Sequence, residues 1–204
     1  EVRQAAMDAA RDYGTSLTGS RLLNGTHKLH CELEKNLAEY LGKESCLVFT
    51  TGYQANLGVL SALITKGNAL IMDKADHASI HDGACLAKGE VYRYKHNDMD
   101  DLKKILSDIP EDVGKMLLVD GIFSMEGDIA KLPEICELTK DYGNNLRLAV
   151  DDAHGFGLLG HGGRGTADHF GLNDRVDLVI GTFSKTLSSN GGYVACTQKL
   201  IDFI

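Results

Sequence analysis

Short runs of Val, Ile and Leu recur along this chain, separated by longer stretches with the amphipathic spacing of helices. The runs predict strands at Cys46 to Phe49, Ala69 to Met72, Glu90 to Tyr94, Met116 to Asp120, Leu146 to Asp151, Asp177 to Ile180 and Tyr193 to Cys196. Strands alternating with amphipathic segments are the pattern of an α/β fold, with helices covering a mostly parallel central sheet. Helical patterns also open the chain (EVRQAAMDAARDYG) and close it (TQKLIDFI).

Several strand runs lead directly into polar clusters: LVF into TTGYQAN, LIM into DKADHAS, LLVDGIF into SMEGD, LAV into DDAHG and LVI into GTFSK. Ligands of open α/β sheets bind beyond the carboxyl ends of the strands, so these clusters are expected to converge on one site. Lys185, in GTFSKTLSSNGG, follows one such strand. A lysine that burial or a neighbouring cation lowers in pKa can lose its proton and attack an aldehyde to form a Schiff base. A surface lysine is the ordinary alternative. Thr182 and Ser184 offer hydroxyl groups beside it.

Asp151 ends an apolar strand, where a carboxylate is poorly solvated unless a cation such as a protonated pyridine nitrogen meets it. His154 follows within the same cluster and suits a hydrogen bond to a ring hydroxyl; a capping Asp and a packed His are the plainer reading. Gly52 and Tyr53 open the helix after the first strand, where backbone N–H groups and the helix dipole favour an anion such as phosphate. His77 suits stacking on a flat ring, and Ser124 either donates to a ring oxygen or caps a helix. Arg21, in TGSRLLNGTHKLH, can pair a substrate carboxylate, whereas His27 and His30 read as surface or packing residues.

His77 and His81, with Asp151, Asp152 and His154, also admit a metal-dependent hydrolase. Against it, HASIH lacks the glutamate of HExxH, and a metal leaves Lys185 unexplained. No metal site is therefore expected.

Composition narrows the remaining classes. The 204 residues are 43% hydrophobic and 25% charged, enough to bury a core in one continuous domain, and no Pro-rich or Gly/Ser-rich linker divides them. A formal charge of -8, from 29 acidic and 21 basic residues, argues against nucleic acid or an anionic membrane as partner. The five cysteines form no CxxC pair, which suits a reducing cytoplasm. No stretch approaches the roughly 20 apolar residues of a membrane helix, and no signal peptide is expected.

The segments TGSRLLNGTHKLHCELEKNLAEYLGKE, FTTGYQAN, DKADHASIHDG, DGIFSMEGD, VDDAHGFGLLGHGGRGT and GTFSKTLSSNGGY, in this order, resemble the alpha-oxoamine synthases. The resemblance spans essentially the whole chain and implies a pyridoxal-phosphate enzyme of the aspartate aminotransferase-like fold (fold type I). Residues 1–204 would be its large catalytic domain, truncated before a smaller C-terminal domain. It implies that Lys185 carries the cofactor and acts as general base, that Asp151 partners the ring nitrogen, and that His154 and Ser124 contact the ring oxygen. It further implies that His77 stacks on the ring and helps orient the substrate carboxylate, that Thr182, Ser184, Gly52 and Tyr53 hold the phosphate, and that Arg21 and Asn24 lie near the substrate. Family members are homodimers with sites at the subunit interface.

The reaction so implied joins an amino acid to an acyl-CoA with loss of carbon dioxide. NGTHKLHCELE, KHNDMDDL, GIFSMEGDIAKLPEI and GTFSKTLSS look most similar to the bacterial serine palmitoyltransferase branch, which favours serine. Asp152 in VDDAH is closer to the aminooxononanoate and aminoketobutyrate branches, which keeps alanine and glycine open. A non-catalytic partner subunit is expected where the lysine is missing, and Lys185 is present.

Overall fold

The computed structural model describes all 204 residues and groups them into two compact units, Glu1–Leu33 and Glu34–Ile204. The first holds α1 (Val2–Tyr13), a turn-rich segment and the start of α2 (Lys28–Leu41), through which the division runs. Within it the Tyr13 ring meets His27 edge-on at 4.7 Å and lies 5.2 Å from the Lys28 ammonium.

The second unit is built on β1 (Ser45–Phe49), α3 (Gly52–Leu63), β2 (Ala69–Asp73), α4 (Ala78–Leu86), β3 (Glu90–Tyr94), α5 (Met99–Asp108) and β4 (Lys115–Asp120). It continues through α6 (Leu132–Thr139), β5 (Leu146–Asp151), α7 (Thr166–His169), β6 (Leu178–Thr182), β7 (Gly192–Cys196) and α8 (Gln198–Phe203). The strands form one 7-stranded sheet in the order β1-β7-β6-β5-β4-β2-β3. Only β7 runs against its neighbours, so the expectation of a mostly parallel sheet flanked by helices holds.

Both faces of the sheet are buried, which explains the unbroken apolar runs. Successive strand side chains point to opposite faces. Ile71, Leu117, Val119, Leu148 and Val150 pack with Leu37, Leu41, Leu102, Leu106, Leu132 and Ile135 on the α2, α5 and α6 side. Leu70, Met72, Met116, Leu118, Ala149 and Ile180 pack with Ala55, Val59, Leu60, Ile80 and Ala84 on the α3 and α4 side.

The observed strands match the expected ones to within a residue or two, and the largest departure has a physical cause. Asp177 is not the first residue of β6: its carboxylate accepts from Leu148 N at 2.8 Å and pairs with Arg147 Nη1 at 3.0 Å. The strand instead extends to Thr182, paired with Gly192 of β7.

Leu117 is fully buried at the middle of the sheet, between Ile71 and Leu148 on the adjoining strands. Leu117→Ala should lower unfolding free energy by about 2–5 kcal/mol, read from the denaturant midpoint.

Candidate functional site

The sheet alternation also decides which strand-end side chains share a face. Asp120, Asp151 and Thr182 continue the α3-side set of their strands, in step with Leu118, Ala149 and Ile180. Asp120 and Asp151 are register partners at the carboxyl ends of adjacent parallel strands. Beyond them lies a cavity of about 250 Å³. Gly52, Tyr53, His77 and Ser124 line it, together with Asp151, His154, Thr182, Ser184 and Lys185. The structure thus brings into one cavity all nine cofactor-binding candidates of the large unit, while His81 and Asp152 do not line it. Arg21 and Asn24 belong to the turn of the N-terminal unit, where Thr26 Oγ1 donates to Arg21 O at 2.6 Å and Asn24 N donates to Ser20 O at 3.2 Å.

Thr51 caps α3 by accepting from Gln54 N at 3.0 Å, which leaves the amides of Gly52 and Tyr53 in the first turn, where no intrahelical acceptor exists. This helix start lies tight against the sheet. A Cβ on Gly52 would stand 2.8 Å from Thr182 Cβ, and one on Gly192 would stand 2.5 Å from the Gly52 backbone. Glycine at both positions is what lets the amides open into the cavity.

Lys185 stands on a short loop closed on itself by Phe183 N to Gly191 O at 3.0 Å, Ser189 N to Phe183 O at 2.9 Å and Ser188 N to Lys185 O at 3.1 Å. Buried Phe183 stacks on Tyr193, and Thr186 Oγ1 donates to Phe156 O at 2.8 Å, tying this loop to the one after β5. Lys185 Nζ lies 2.7 Å from His154 Nε2. Two bases this close share one proton readily and two poorly. Burial pushes the Lys185 ammonium below its ordinary value, opposed by Asp151 and Asp120. Burial and the Lys185 charge push His154 down in turn.

Asp151 is buried and accepts from Asn56 Nδ2 at 2.6 Å and Ala153 N at 3.1 Å. It therefore both caps its turn and faces the cavity. Ser124 starts a turn rather than a helix, so the helix-cap alternative for it does not hold. His77 is the N-cap of α4; its Nδ1 lies 2.7 Å from Ser79 Oγ. No group of three or more His, Cys, Asp or Glu side chains is arranged to hold a metal ion.

Five further polar residues line the cavity: Thr51, Asn56, Ser79, Asp120 and Asn190. Asn56 joins the site by donating to both Asp151 and Ser79 Oγ, the latter at 2.9 Å, and its buried Oδ1 has no partner. Thr51, Asn56, Ser79 and Asn190 sit in the polar segments that follow strands, the one signal that could have found them, whereas Asp120 ends an apolar run. Asp152, one residue beyond Asp151, does not line the cavity. It is buried and accepts from Thr166 N and Thr166 Oγ1, both at 2.6 Å.

The family model for aminotransferase class I and II matches residues 1–204. The chain belongs to that family. It is 50% identical to the serine palmitoyltransferase of Sphingobacterium spiritivorum, covering 100% of this chain and 50% of that relative. It is 44% identical to the 8-amino-7-oxononanoate synthase of Thermoanaerobacter pseudethanolicus, covering 100% of this chain and 51% of that relative. Among solved structures, the Sphingomonas wittichii serine palmitoyltransferase superposes with a TM-score of 0.94 at 42% identity, covering 98% of this chain and 50% of that one. A serine palmitoyltransferase solved with PLP superposes equally well, at 39% identity, with 98% of this chain and 50% of that one covered. The fold is that of the PLP fold type I enzymes, and the resemblance to the alpha-oxoamine synthases holds. The chain spans about half the length of the curated relatives it matches. No helix is long and apolar enough to cross a membrane.

The buried carboxyls make stability depend on pH. Burial, with Asp151 close by, raises Asp120 from 3.8 to about 8, and burial raises Asp152 from 3.8 to about 6. The folded state holds these protons to higher pH than the unfolded chain, so their stabilising contribution is complete below about 4 and is lost as pH rises through 6 and 8. The denaturant midpoint should fall steadily from pH 5 to pH 8.5; a midpoint that rises over this range would contradict the assignment.

Proposed function

We propose that residues 1–204 form the cofactor-binding large domain of a pyridoxal-phosphate acyltransferase. It would condense an amino acid, serine by preference, with an acyl-CoA and release carbon dioxide. The observation that carries this reading is the single cavity in which Lys185 Nζ touches His154 while Asp151 and the first turn of α3 line the same space. The residues fit the cofactor: a buried carboxylate for a ring nitrogen, and the orphan amides of a helix start for a phosphate, on a helix that Gly52 and Gly192 let pack tight against the sheet.

Gly52, Tyr53, Thr182 and Ser184 would hold the phosphate, Asp151 the ring nitrogen, His154 and Ser124 the ring oxygen, His77 the ring face, and Lys185 the covalent attachment. When bound, the cofactor supplies the electron sink for a carbanion at the amino-acid alpha carbon. Lys185 Nζ would take the alpha proton, and its lowered affinity for protons suits it to that task. His154 keeps Nζ in place. His77 would help orient the substrate carboxylate.

Serine is favoured because the 50% identical relative is a serine palmitoyltransferase; alanine or glycine is the second reading, on the 44% identical 8-amino-7-oxononanoate synthase. A homodimer fits the exposed apolar side chains on loops that also carry site residues, Met125 beside Ser124 and Leu187 beside Lys185. The five unpaired cysteines suit a reducing cytoplasm.

The intact protein with pyridoxal phosphate should show a visible absorbance band that Lys185→Ala abolishes, and persistence of the band would refute the assignment of Lys185. Product formation from serine, alanine and glycine, each with short and long acyl-CoA, should be largest for serine with a long chain. Product from none of these pairs would overturn the reaction.

A further inference from the structure

Five aspartates are buried around the carboxyl ends of β2, β4 and β5; Asp152 is held by Thr166, and the other four are Asp73, Asp76, Asp120 and Asp151. Three are well supplied with donors. Asp73 accepts from Ala75 N at 2.8 Å and Asn97 N at 2.9 Å, and its Oδ1 lies 3.2 Å from His96 Nδ1. Asp76 accepts from Asp73 N and Asp120 N, both at 2.8 Å. Asp151 has Asn56 Nδ2 and Ala153 N.

Asp120 is different. Its carboxyl accepts only from His77 N, at 3.0 Å, although it lines the cavity beside Asp151. No cation touches it, since the nearby Lys185 ammonium is directed at His154. The groups that act on it are Asp73 and Asp76 from the β2 side, Asp151 from β5, Lys185 from the loop after β6, and the His77 amide. A buried carboxylate with one donor among three other carboxyls is costly, and a proton relieves both the desolvation and the repulsion.

We propose that Asp120 is a positioning residue that holds a proton at neutral pH while accepting the His77 amide, fixing His77 at the cavity and leaving Asp151 as the anion that meets a cationic ligand nitrogen. This rests on the cofactor reading of the same cavity. A second carboxylate there would compete with Asp151 for the ligand cation and would stabilise the protonated form of Lys185. The raised affinity of Asp120 for its proton is in keeping with this.

The test compares Asp120→Asn, which reproduces a neutral carboxyl and keeps an acceptor for His77 N, with Asp120→Ala, which removes the acceptor. Without cofactor, the infrared difference spectrum between neutral and alkaline pH should contain a protonated-carboxyl band in the intact wild-type protein that is smaller in Asp120→Asn, the remainder belonging to Asp76, which burial and the Asp120 charge raise as well. In the same cofactor-free protein, the pH at which Lys185 begins to react with an amine-selective reagent should be lower in Asp120→Asn, because the charge that forms on Asp120 at alkaline pH is gone. Titration with pyridoxal phosphate at neutral pH should find Asp120→Asn within about threefold of wild type and Asp120→Ala weakened about tenfold or more. A wild-type spectrum without the band, a band undiminished in Asp120→Asn, or an Asp120→Asn protein that fails to fold or binds as poorly as Asp120→Ala, would overturn the proposal. Should Asp120→Ala not fold, Asp120→Asn against wild type decides alone. If the cofactor reading itself is wrong, wild type binds no pyridoxal phosphate while the infrared and reagent results still report on Asp120.

Discussion

A sheet covered on both faces leaves its charged residues very few places to stand. Along β2, β4, β5 and β6 every side chain points into one packed layer or the other, so polar groups concentrate at the carboxyl ends of the strands. There the packing stops and the backbone turns into a loop or a helix start. The two-residue period then sorts these ends by face, and Asp120, Asp151 and Thr182 fall on the side of α3, whose first turn supplies free amides and whose Asn56 reaches Asp151. Asp73, one face over, turns away toward His96 and Asn97.

The same burial sets the chemistry. Asp151 tolerates its position because two donors meet it and because the cavity leaves room for a cation. Burial lowers the tendency of both Lys185 and His154, drawn to 2.7 Å, to hold a proton, and the Lys185 charge adds to this at His154. A base that is poorly protonated suits attack on an aldehyde and later removal of an alpha proton. The site is therefore a consequence of where the fold permits charge, with the loop closure around Lys185 and the glycine contact between α3 and β7 keeping the parts in register.

Much of this was legible in the residues. The strand runs fell where the hydrophobic pattern put them, because a strand buried on both faces has no polar position to blur its limits. Where a strand began with a polar residue the pattern misled: Asp177 reads as the start of β6 and is instead a clamp on Arg147 and the Leu148 amide. Asp151 was legible through its neighbours in the VDDAH cluster, whereas Asp120 ends an equally apolar run and carries no local mark of its role. Asp152, adjacent in sequence to Asp151, is turned by alternation to the other face, toward Thr166, a placement that the residues alone do not show.

By itself the sequence determined the α/β class, the positions of the strands and the gathering of polar residues at their carboxyl ends, because these follow from local periodicity and from the end of apolar burial. Only the tertiary structure decided the strand order, the reversed direction of β7, the union of Asp120 with Asp151 and of Lys185 with His154, and the unequal supply of donors to the buried carboxyls. An apolar run reads the same in either direction and beside any neighbour. Hydrogen bonds and charge pairing between residues far apart in the chain exist only once the sheet has set them side by side.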